Sequence, residues 1–363
     1  MRKRIKDRIA LLLAIKPTER ITELDHIHAK VSRDAEGVSK AEIRDALREL
    51  REEHLVETAE GGWYITSQGR KSARPLTNDP NMNLSYRRVL TARRYYSQTA
   101  PCILPFLRGN ILAVIKLFSN EGDPINKVKE IFSRFSKRKP PQPHTIEDKK
   151  TLIRYVHNHT VEFLLVVNEK DVKPHKLVFL ISSQQLREPK EWEFLLNVVR
   201  ATYEEMNTRG ISPLITFSGE SGFNIFCEFT EPLGNWKTYQ HAVKTLKEKV
   251  ERILNSRGEL AFPLLFASSR KSENVEGVVF NAESMRPNGT VIAPFSLNLT
   301  TGLASIPVKP ERIGHFKKED AEPTTVIKKK KQYETFKMEK SSPTTFAKEL
   351  SLGLFKFLTK GGT

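Results

Sequence analysis

Histidine and cysteine are two side-chain types of this sequence that can bind a transition metal or act as nucleophiles. His157 and His159 form an H-x-H pair and His175 follows, but no acidic or cysteine partner completes a ligand set at the usual spacing. Cys102 and Cys227 lie far apart between apolar residues, which is typical of buried thiols in a reducing compartment. We therefore predict an intracellular, cytoplasmic protein with no metal and no cofactor.

A glycine-containing turn offers chemistry of another kind. Residues 218 to 222 read S-G-E-S-G, and glycine lets backbone amides come close to a phosphate because it has no Cβ atom. Ser218, Gly219 and Gly222 are therefore candidate phosphate-binding residues. An equally good interpretation is that the glycines are present because a hairpin cannot close without them.

The segments around this turn predict a mixture of strands and helices. Apolar runs at 176–182, 213–217 and 223–229 are typical of strands. Apolar residues at helical spacing between 192 and 208 predict an amphipathic helix. A helix over 87–97 and further strands complete a pattern that predicts an α+β fold.

Four motifs follow one another in this part of the chain. They are Y-Y-S at 95–97 with A-P at 100–101 and L-P-F-L-R-G at 104–109, S-G-E-S-G-F-N at 218–224, T-V-I-A-P-F-S at 290–296 and A-S-I-P-V at 304–308. In type, order and spacing they resemble the polymerase domain of end-joining ligase D, within the archaeo-eukaryotic primase superfamily. The resemblance covers about residues 82 to 316 and implies a primase-polymerase (RRM-like) α/β domain, which we place at residues 77–318.

The resemblance also implies where catalysis would occur. In that family three carboxylates hold two divalent metals, and a histidine and an arginine complete the site. The matching positions here carry neutral residues: Leu180 and Ser182 at the two D-x-D aspartates, Asn281 at the third carboxylate, Asn224 at the histidine and Asn298 at the arginine. Because hard cations need anionic oxygen ligands, we predict a fold without catalytic residues.

The loss of the first carboxylate pair does not depend on the alignment, since no acidic residue occurs between Asp171 and Glu188. A residual nucleotidyltransferase that uses relocated acids is the alternative. Glu220, Glu228 and Glu283 are the acids near the motifs that could serve it.

The charge of the chain indicates a polyanionic partner. Lysine and arginine total 60 against 43 acidic residues, for a formal charge of +17. We predict binding to DNA, either duplex or primer-template-like. Candidate backbone contacts in the central domain are Arg87, Arg88, Arg93, Arg94, Lys116, Lys137, Arg138 and Lys139. Phe132 and Phe135 could stack on bases, or they could be core aromatics beneath a solvated loop.

The first 76 residues resemble a winged helix. Ser39 and Glu42 form an S-x-x-E capping box at the start of a helix, and a hairpin with glycines at its tip follows that helix. One face of the helix presents a basic stripe of Lys40, Arg44, Arg48 and Arg51. Contact with a DNA backbone is the predicted role, and a protein-docking module is the alternative.

The last segment, 319–363, is rich in lysine and predicts a basic linker that ends in an amphipathic helix. The apolar stripe of that helix contains Phe346, Leu350, Leu354 and Phe357. It could dock on a replication or repair protein, or fold back on its own domain. No apolar stretch is long enough to span a bilayer, so we predict no membrane partner.

Taken together, these features predict a non-catalytic, nucleoid-associated DNA-binding protein for replication, end joining or plasmid maintenance. An accessory subunit that docks on an active primase, polymerase or helicase is the alternative.

Overall fold

The computed structural model describes residues 2–15, 22–32, 37–73, 84–118, 129–136, 140–169, 174–183, 189–232, 234–268 and 276–342. The chain divides into two compact units. The first consists of Met1–Ala100, Val114–Ser136 and Glu147–Glu162, and the second of Pro101–Ala113, Lys137–Ile146 and Phe163–Thr363. The first unit therefore continues past residue 76, and the predicted domain limits stay predictions.

The N-terminal elements begin with three helices and a hairpin. They are α1 (Arg2–Ile15), α2 (Leu24–Val31), α3 (Lys40–Glu52), β1 (Val56–Ala59), β2 (Gly62–Ile65) and α4 (Ser67–Ala73). Strand β1 pairs antiparallel with β2, and Thr22 forms a bridge to Trp63 of β2. The predicted capping box is confirmed, because the Ser39 N–H donates to the Glu42 carboxylate at 2.8 Å and the Glu42 N–H donates to the Ser39 hydroxyl at 3.3 Å.

Apolar residues at helical spacing form the core of these N-terminal elements. Ile43, Leu47 and Leu50 of α3 are buried together with Ile9 of α1 and Ile27 of α2. The capping box fixes where α3 begins, and the 3.6-residue period then turns this face inward. The basic stripe is left on another side of the same helix.

The elements of the rest of the chain follow in order. They are α5 (Leu84–Leu107), β3 (Leu112–Phe118), β4 (Lys129–Ser133), α6 (Lys149–His157), β5 (Thr160–Val166), β6 (Lys176–Ser183), α7 (Pro189–Asn207), β7 (Leu214–Phe217), β8 (Gly222–Phe229), α8 (Trp236–Ser256), β9 (Leu264–Ala267), β10 (Val278–Asn281), β11 (Thr290–Ile292), α9 (Pro323–Tyr333) and β12 (Lys340–Ser341). The α+β prediction, the three predicted strands at β6 to β8 and the helix at α7 are confirmed.

Two larger sheets carry the fold. One has the order β12-β8-β6-β10-β9, with β7 paired to β8, and the other has the order β11-β5-β3-β4. Strand β6 pairs antiparallel with β8 on one side and β10 on the other. Its Leu177, Phe179 and Ile181 are buried on one face of the sheet, to which α7 adds its apolar side.

An aromatic cluster fixes α7 to the sheet. The Trp192 ring of α7 lies with its centroid 6.3 Å from that of Phe217 and 5.8 Å from that of Phe223. Phe316 closes the cluster at 5.1 Å from Phe217, and its carbonyl accepts a hydrogen bond from Trp192 Nε1 at 3.3 Å. Aromatic packing of this kind stabilises a sheet beyond the area it buries. In the described ranges, no helix combines the length and apolar character needed to cross a membrane.

The prediction of a linker from residue 319 is wrong up to residue 342. A 3-10 helix at Lys318–Ala321, helix α9 and strand β12 occupy this stretch. Val326 is fully buried, and the Tyr333 ring lies 5.5 Å from that of Phe295. Val326 and Tyr333 are seven residues apart on one side of α9, a period that the lysine run obscured. Residues 343–363, with Phe346, Leu350, Leu354 and Phe357, lie outside the described residues.

The burial of α9 makes a prediction about stability. We expect Val326→Ala to lower the free energy of unfolding by about 2 kcal/mol, because a buried valine loses its apolar contacts. Lys331→Ala, at an exposed position of the same helix, is the matched control and should change it by less than about 0.5 kcal/mol. Urea unfolding measures both, and equal effects of the two substitutions would show that α9 does not pack on the domain.

Candidate functional site

The residues that match the catalytic positions lie on three neighbouring strands. In the register of the sheet, Leu180 of β6 is the partner of Asn224 on β8 and of Asn281 on β10. Directly paired residues project from the same face of a sheet, and so does Ser182, two residues along β6. The sheet therefore brings Leu180, Ser182, Asn224 and Asn281 together, and we call these four residues the neutral row.

The neutral row contains hydrogen-bonding groups but no charge. The Asn281 Oδ1 atom accepts a hydrogen bond from the Glu283 N–H at 2.8 Å, so this side chain is used to turn the chain after β10. Asn224 is only 3% exposed, and its buried Nδ2 atom forms no hydrogen bond with any residue that the structure describes. Ser182 is buried as well. Neutral amide and hydroxyl groups supply none of the negative charge that a divalent metal pair requires.

Glu220, Glu228 and Glu283, the acids near the motifs, are not grouped as a metal site in the part of the chain that the structure describes. Across the described ranges, no group of three or more His, Cys, Asp or Glu side chains is placed to hold a metal ion. Glu228 lies four residues from Asn224 along β8, which is about 13 Å in a strand. Its carboxylate is 3.7 Å from Lys340 Nζ. Glu220 lies in the glycine turn and Glu283 in the 3-10 helix after β10.

The glycine turn before β8 is closely packed. Gly219 has a φ of +83°, and a Cβ atom on it would lie 2.8 Å from the Cβ atom of Asn298. A Cβ atom on Gly222 would lie 2.2 Å from the Ile181 carbonyl oxygen. The Ser218 hydroxyl accepts hydrogen bonds from the N–H groups of Glu220 and Gly222, both at 3.3 Å. Packing therefore accounts for both glycines, and phosphate binding at this turn stays a prediction.

Asn298 is part of the loop that packs on this turn. Its Oδ1 atom accepts a hydrogen bond from the Thr301 N–H at 3.0 Å, and the Thr301 hydroxyl donates to the Gly219 carbonyl. The position that resembles the family's arginine thus carries a loop-forming amide. It contributes no cation to the neutral row.

The basic stripe of α3 is exposed as predicted from its spacing. Two of its members are paired with acids, since Lys40 Nζ lies 2.9 Å from Asp25 and an Arg48 nitrogen lies 2.6 Å from Asp45. Arg44 and Arg51 are exposed and form no ion pair with any residue that the structure describes. These two cations are the ones most available to a phosphate backbone.

Arg93 of α5 has a structural position that the sequence did not indicate. Its guanidinium donates hydrogen bonds to the Ala14 carbonyl in the last turn of α1 and, at 3.1 Å, to the His157 carbonyl at the end of α6. Carbonyls at helix ends lack partners within the helix and favour a cation. Burial, with a smaller effect of Arg70, lowers the pKa of Arg93 to about 10, so it stays protonated at neutral pH.

The other predicted backbone contacts differ in their exposure. Arg94 is exposed, Arg88 is half-buried, and Lys116 Nζ lies 5.7 Å from the centre of the Tyr155 ring. The side chain of Arg87 and the whole of Lys137, Arg138 and Lys139 lie outside what the structure describes.

Aromatic side chains on and beside β4 are exposed. Phe132 is 48% and Phe135 is 56% exposed, so the interpretation as core aromatics is wrong. The Arg134 guanidinium lies 5.3 Å from the centre of the Phe132 ring. β4 is an edge strand of its sheet. This combination of open aromatic faces and a cation is one that nucleic-acid-binding proteins use for bases and phosphates.

The contrast between the neighbours Arg93 and Arg94 can be tested. We expect Arg93→Met to lower the free energy of unfolding by about 2 kcal/mol, because two charge-assisted hydrogen bonds are lost. Arg94→Met should leave stability unchanged within about 0.5 kcal/mol. Chemical unfolding and DNA titration of both variants decide the roles. An Arg93→Met protein of normal stability and weakened DNA affinity would place Arg93 on the binding surface instead.

Comparisons with known proteins identify the family of this part of the chain. The model of the LigD primase-polymerase domain matches residues 91–335, a range that includes the whole neutral row and extends through α9. No curated protein matches the chain significantly. A solved structure titled as the polymerase domain from Mycobacterium tuberculosis ligase D in complex with DNA is 15% identical with a TM-score of 0.52, covering 66% of this chain and 88% of that chain. At this identity the likeness shows the fold alone. From the family model, this chain belongs to the LigD primase-polymerase domain family.

Proposed function

We propose that this protein is a non-catalytic DNA-binding protein built on the primase-polymerase fold, acting in replication, end joining or plasmid maintenance. The main support for this proposal is the neutral row. Leu180, Asn224 and Asn281 pair across three strands in the frame that the resemblance assigns to catalysis, and none of them is anionic. A two-metal displacement needs carboxylates that clamp both cations, so a protein with this row binds DNA without extending it.

The N-terminal elements support DNA binding through a helix. The order of α1, the Thr22 bridge, α2, α3 and the β1-β2 hairpin is consistent with a winged helix. The hairpin carries exposed Glu57 and Glu60, which repel phosphates, whereas α3 exposes Arg44 and Arg51. In this proposal α3 meets the DNA backbone and the hairpin does not.

The exposed aromatics support contact with unpaired bases. Phe132 and Phe135 offer open ring faces beside Arg134, and stacking on such faces tolerates any base sequence. Both this surface and α3 belong to the first unit. A DNA with a duplex segment and a single-stranded tail offers a partner to each kind of surface.

The proposal is tested by affinity for duplex, tailed and single-stranded DNA at about 50 and about 200 mM salt. We expect the tailed DNA to bind most tightly, and every affinity to fall steeply with salt as counterions are released. Binding that is absent, or that salt does not weaken, would contradict the proposal.

Variants on α3 refine this test. We expect the double substitution Arg44→Gln and Arg51→Gln to make the dependence of duplex-DNA affinity on salt shallower. The slope of log affinity against log salt concentration should fall in magnitude by about two, one for each lost phosphate contact. The matched control is Lys244→Gln on α8, an exposed cation on the second unit. An equal loss in the control would mean that binding follows net charge and not the surface of α3.

The neutral row makes a prediction about metals. We expect Leu180→Asp, Ser182→Asp and Asn281→Asp together to create a manganese site, because the sheet already aligns these positions. Manganese should raise the melting temperature of this variant and should not change the melting temperature of the unchanged protein. Leu180→Asn with Ser182→Asn is a control of similar shape without charge. Stabilisation of the unchanged protein by manganese, reversed by EDTA, would show that its own residues hold a metal.

A further inference from the structure

A cavity of about 440 Å³ lies in the second unit, away from the neutral row in the sequence. Three segments form it: the extended residues Ile306 to Val308, the 3-10 helix Pro310–His315 with Phe316, and the end of α9 with the residues after it. Pro307 pairs with Thr216 of β7, so the cavity adjoins the edge of the sheet. Its volume lies in the range of small-molecule sites in proteins.

One side of the cavity is aromatic. The Tyr333 ring lies 5.5 Å from that of Phe295 and 6.2 Å from that of Phe336, the last pair with an angle of 35° between the rings. Phe316, also on the cavity, is held by the cluster around Trp192. The aromatic wall is therefore positioned by the core of the domain and not by a ligand.

The rim of the cavity carries exposed basic side chains. Lys309, Arg312 and His315 are exposed, and their side chains make no hydrogen bond or ion pair with any of the described residues. The fourth basic residue, Lys329, lies 2.9 Å from Asp320 and neutralises that acid. Glu311 is the other acid on the rim. Two permanent cations and an imidazole therefore line the cavity with one carboxylate, Glu311, that forms no ion pair with any described residue.

We infer that this cavity binds one nucleotide unit, with its base against Tyr333 and Phe336 and its phosphates on Lys309 and Arg312. An aromatic wall recognises any base by stacking, and guanidinium and ammonium groups at the rim suit phosphate oxygens. The unit is either a free nucleotide or the phosphorylated end of a strand, which present the same chemistry. Because the protein's own cations would neutralise the phosphates, we expect binding without an added metal.

The probes are ATP and a 5′-phosphorylated single-stranded oligonucleotide, titrated calorimetrically into the full-length protein in EDTA. We expect ATP to bind, and Lys309→Gln with Arg312→Gln to weaken it at least about tenfold. Lys244→Gln and Lys331→Gln, at exposed positions outside the cavity, are the controls and should leave the affinity unchanged. Both altered residues of the double variant are exposed, so the domain should keep its fold.

A second variant separates base recognition from attraction of charge. Phe336→Leu keeps an apolar side chain without a ring, and we expect it to weaken ATP several-fold while binding of inorganic tripolyphosphate stays the same. Tighter binding of the oligonucleotide than of ATP would identify the end of a strand as the ligand. Tighter binding of ATP would identify a free nucleotide, and either result supports the site.

The inference would be overturned if neither ATP nor the oligonucleotide bound to the protein. It would also be overturned if tripolyphosphate bound as tightly as ATP, or if the Lys309→Gln, Arg312→Gln double variant bound ATP as tightly as the unchanged protein does. The site is independent of the proposed function. Duplex affinity, measured on the same variants, reports on that function separately.

Discussion

The pairing of β6 with β8 on one side and β10 on the other is the constraint on which the functional interpretation depends. A slip of one residue would turn Leu180 to the opposite face and bring Phe179 or Ile181 into the neutral row. The core prevents this, because Phe179 stacks on Phe280 of β10 with ring centroids 6.1 Å apart. The buried aromatic face thus holds the register, and the register decides which residues meet on the other face.

The same register has a consequence for the stability of a sheet that carries neutral residues where the resemblance places carboxylates. Acids placed directly across neighbouring strands repel one another unless a cation neutralises them. Neutral residues at the directly paired positions Leu180 and Asn281 avoid that repulsion. Asn281 also contributes to the fold through its hydrogen bond to the Glu283 N–H. In this account the function lies on exposed surfaces of the protein, where cations and aromatic rings remain available.

The elements that local chemistry specifies were predictable from the sequence. The Ser39 capping box located α3, and motif order indicated Leu180 and Asn281, which the sheet pairs directly. Long-range contacts were not predictable. Arg93 reads as one more surface cation, and only the fold brings it to the helix ends at Ala14 and His157. The cavity at Tyr333 was not predictable from composition, because the lysines of α9 resemble a linker. The signal in the sequence was the spacing of Val326 and Tyr333, which lie seven residues apart on one side of the helix.

In the proposed function, this member of the LigD primase-polymerase domain family binds DNA without extending it. The most direct measurement gives the protein a tailed primer-template, labelled nucleoside triphosphates and manganese, and follows DNA binding and nucleotide incorporation in the same sample. We expect salt-sensitive binding of the DNA and no incorporation of nucleotides. Incorporation that Glu220→Ala or Glu283→Ala abolishes would contradict it, because relocated acids would then hold the metal that the neutral row cannot.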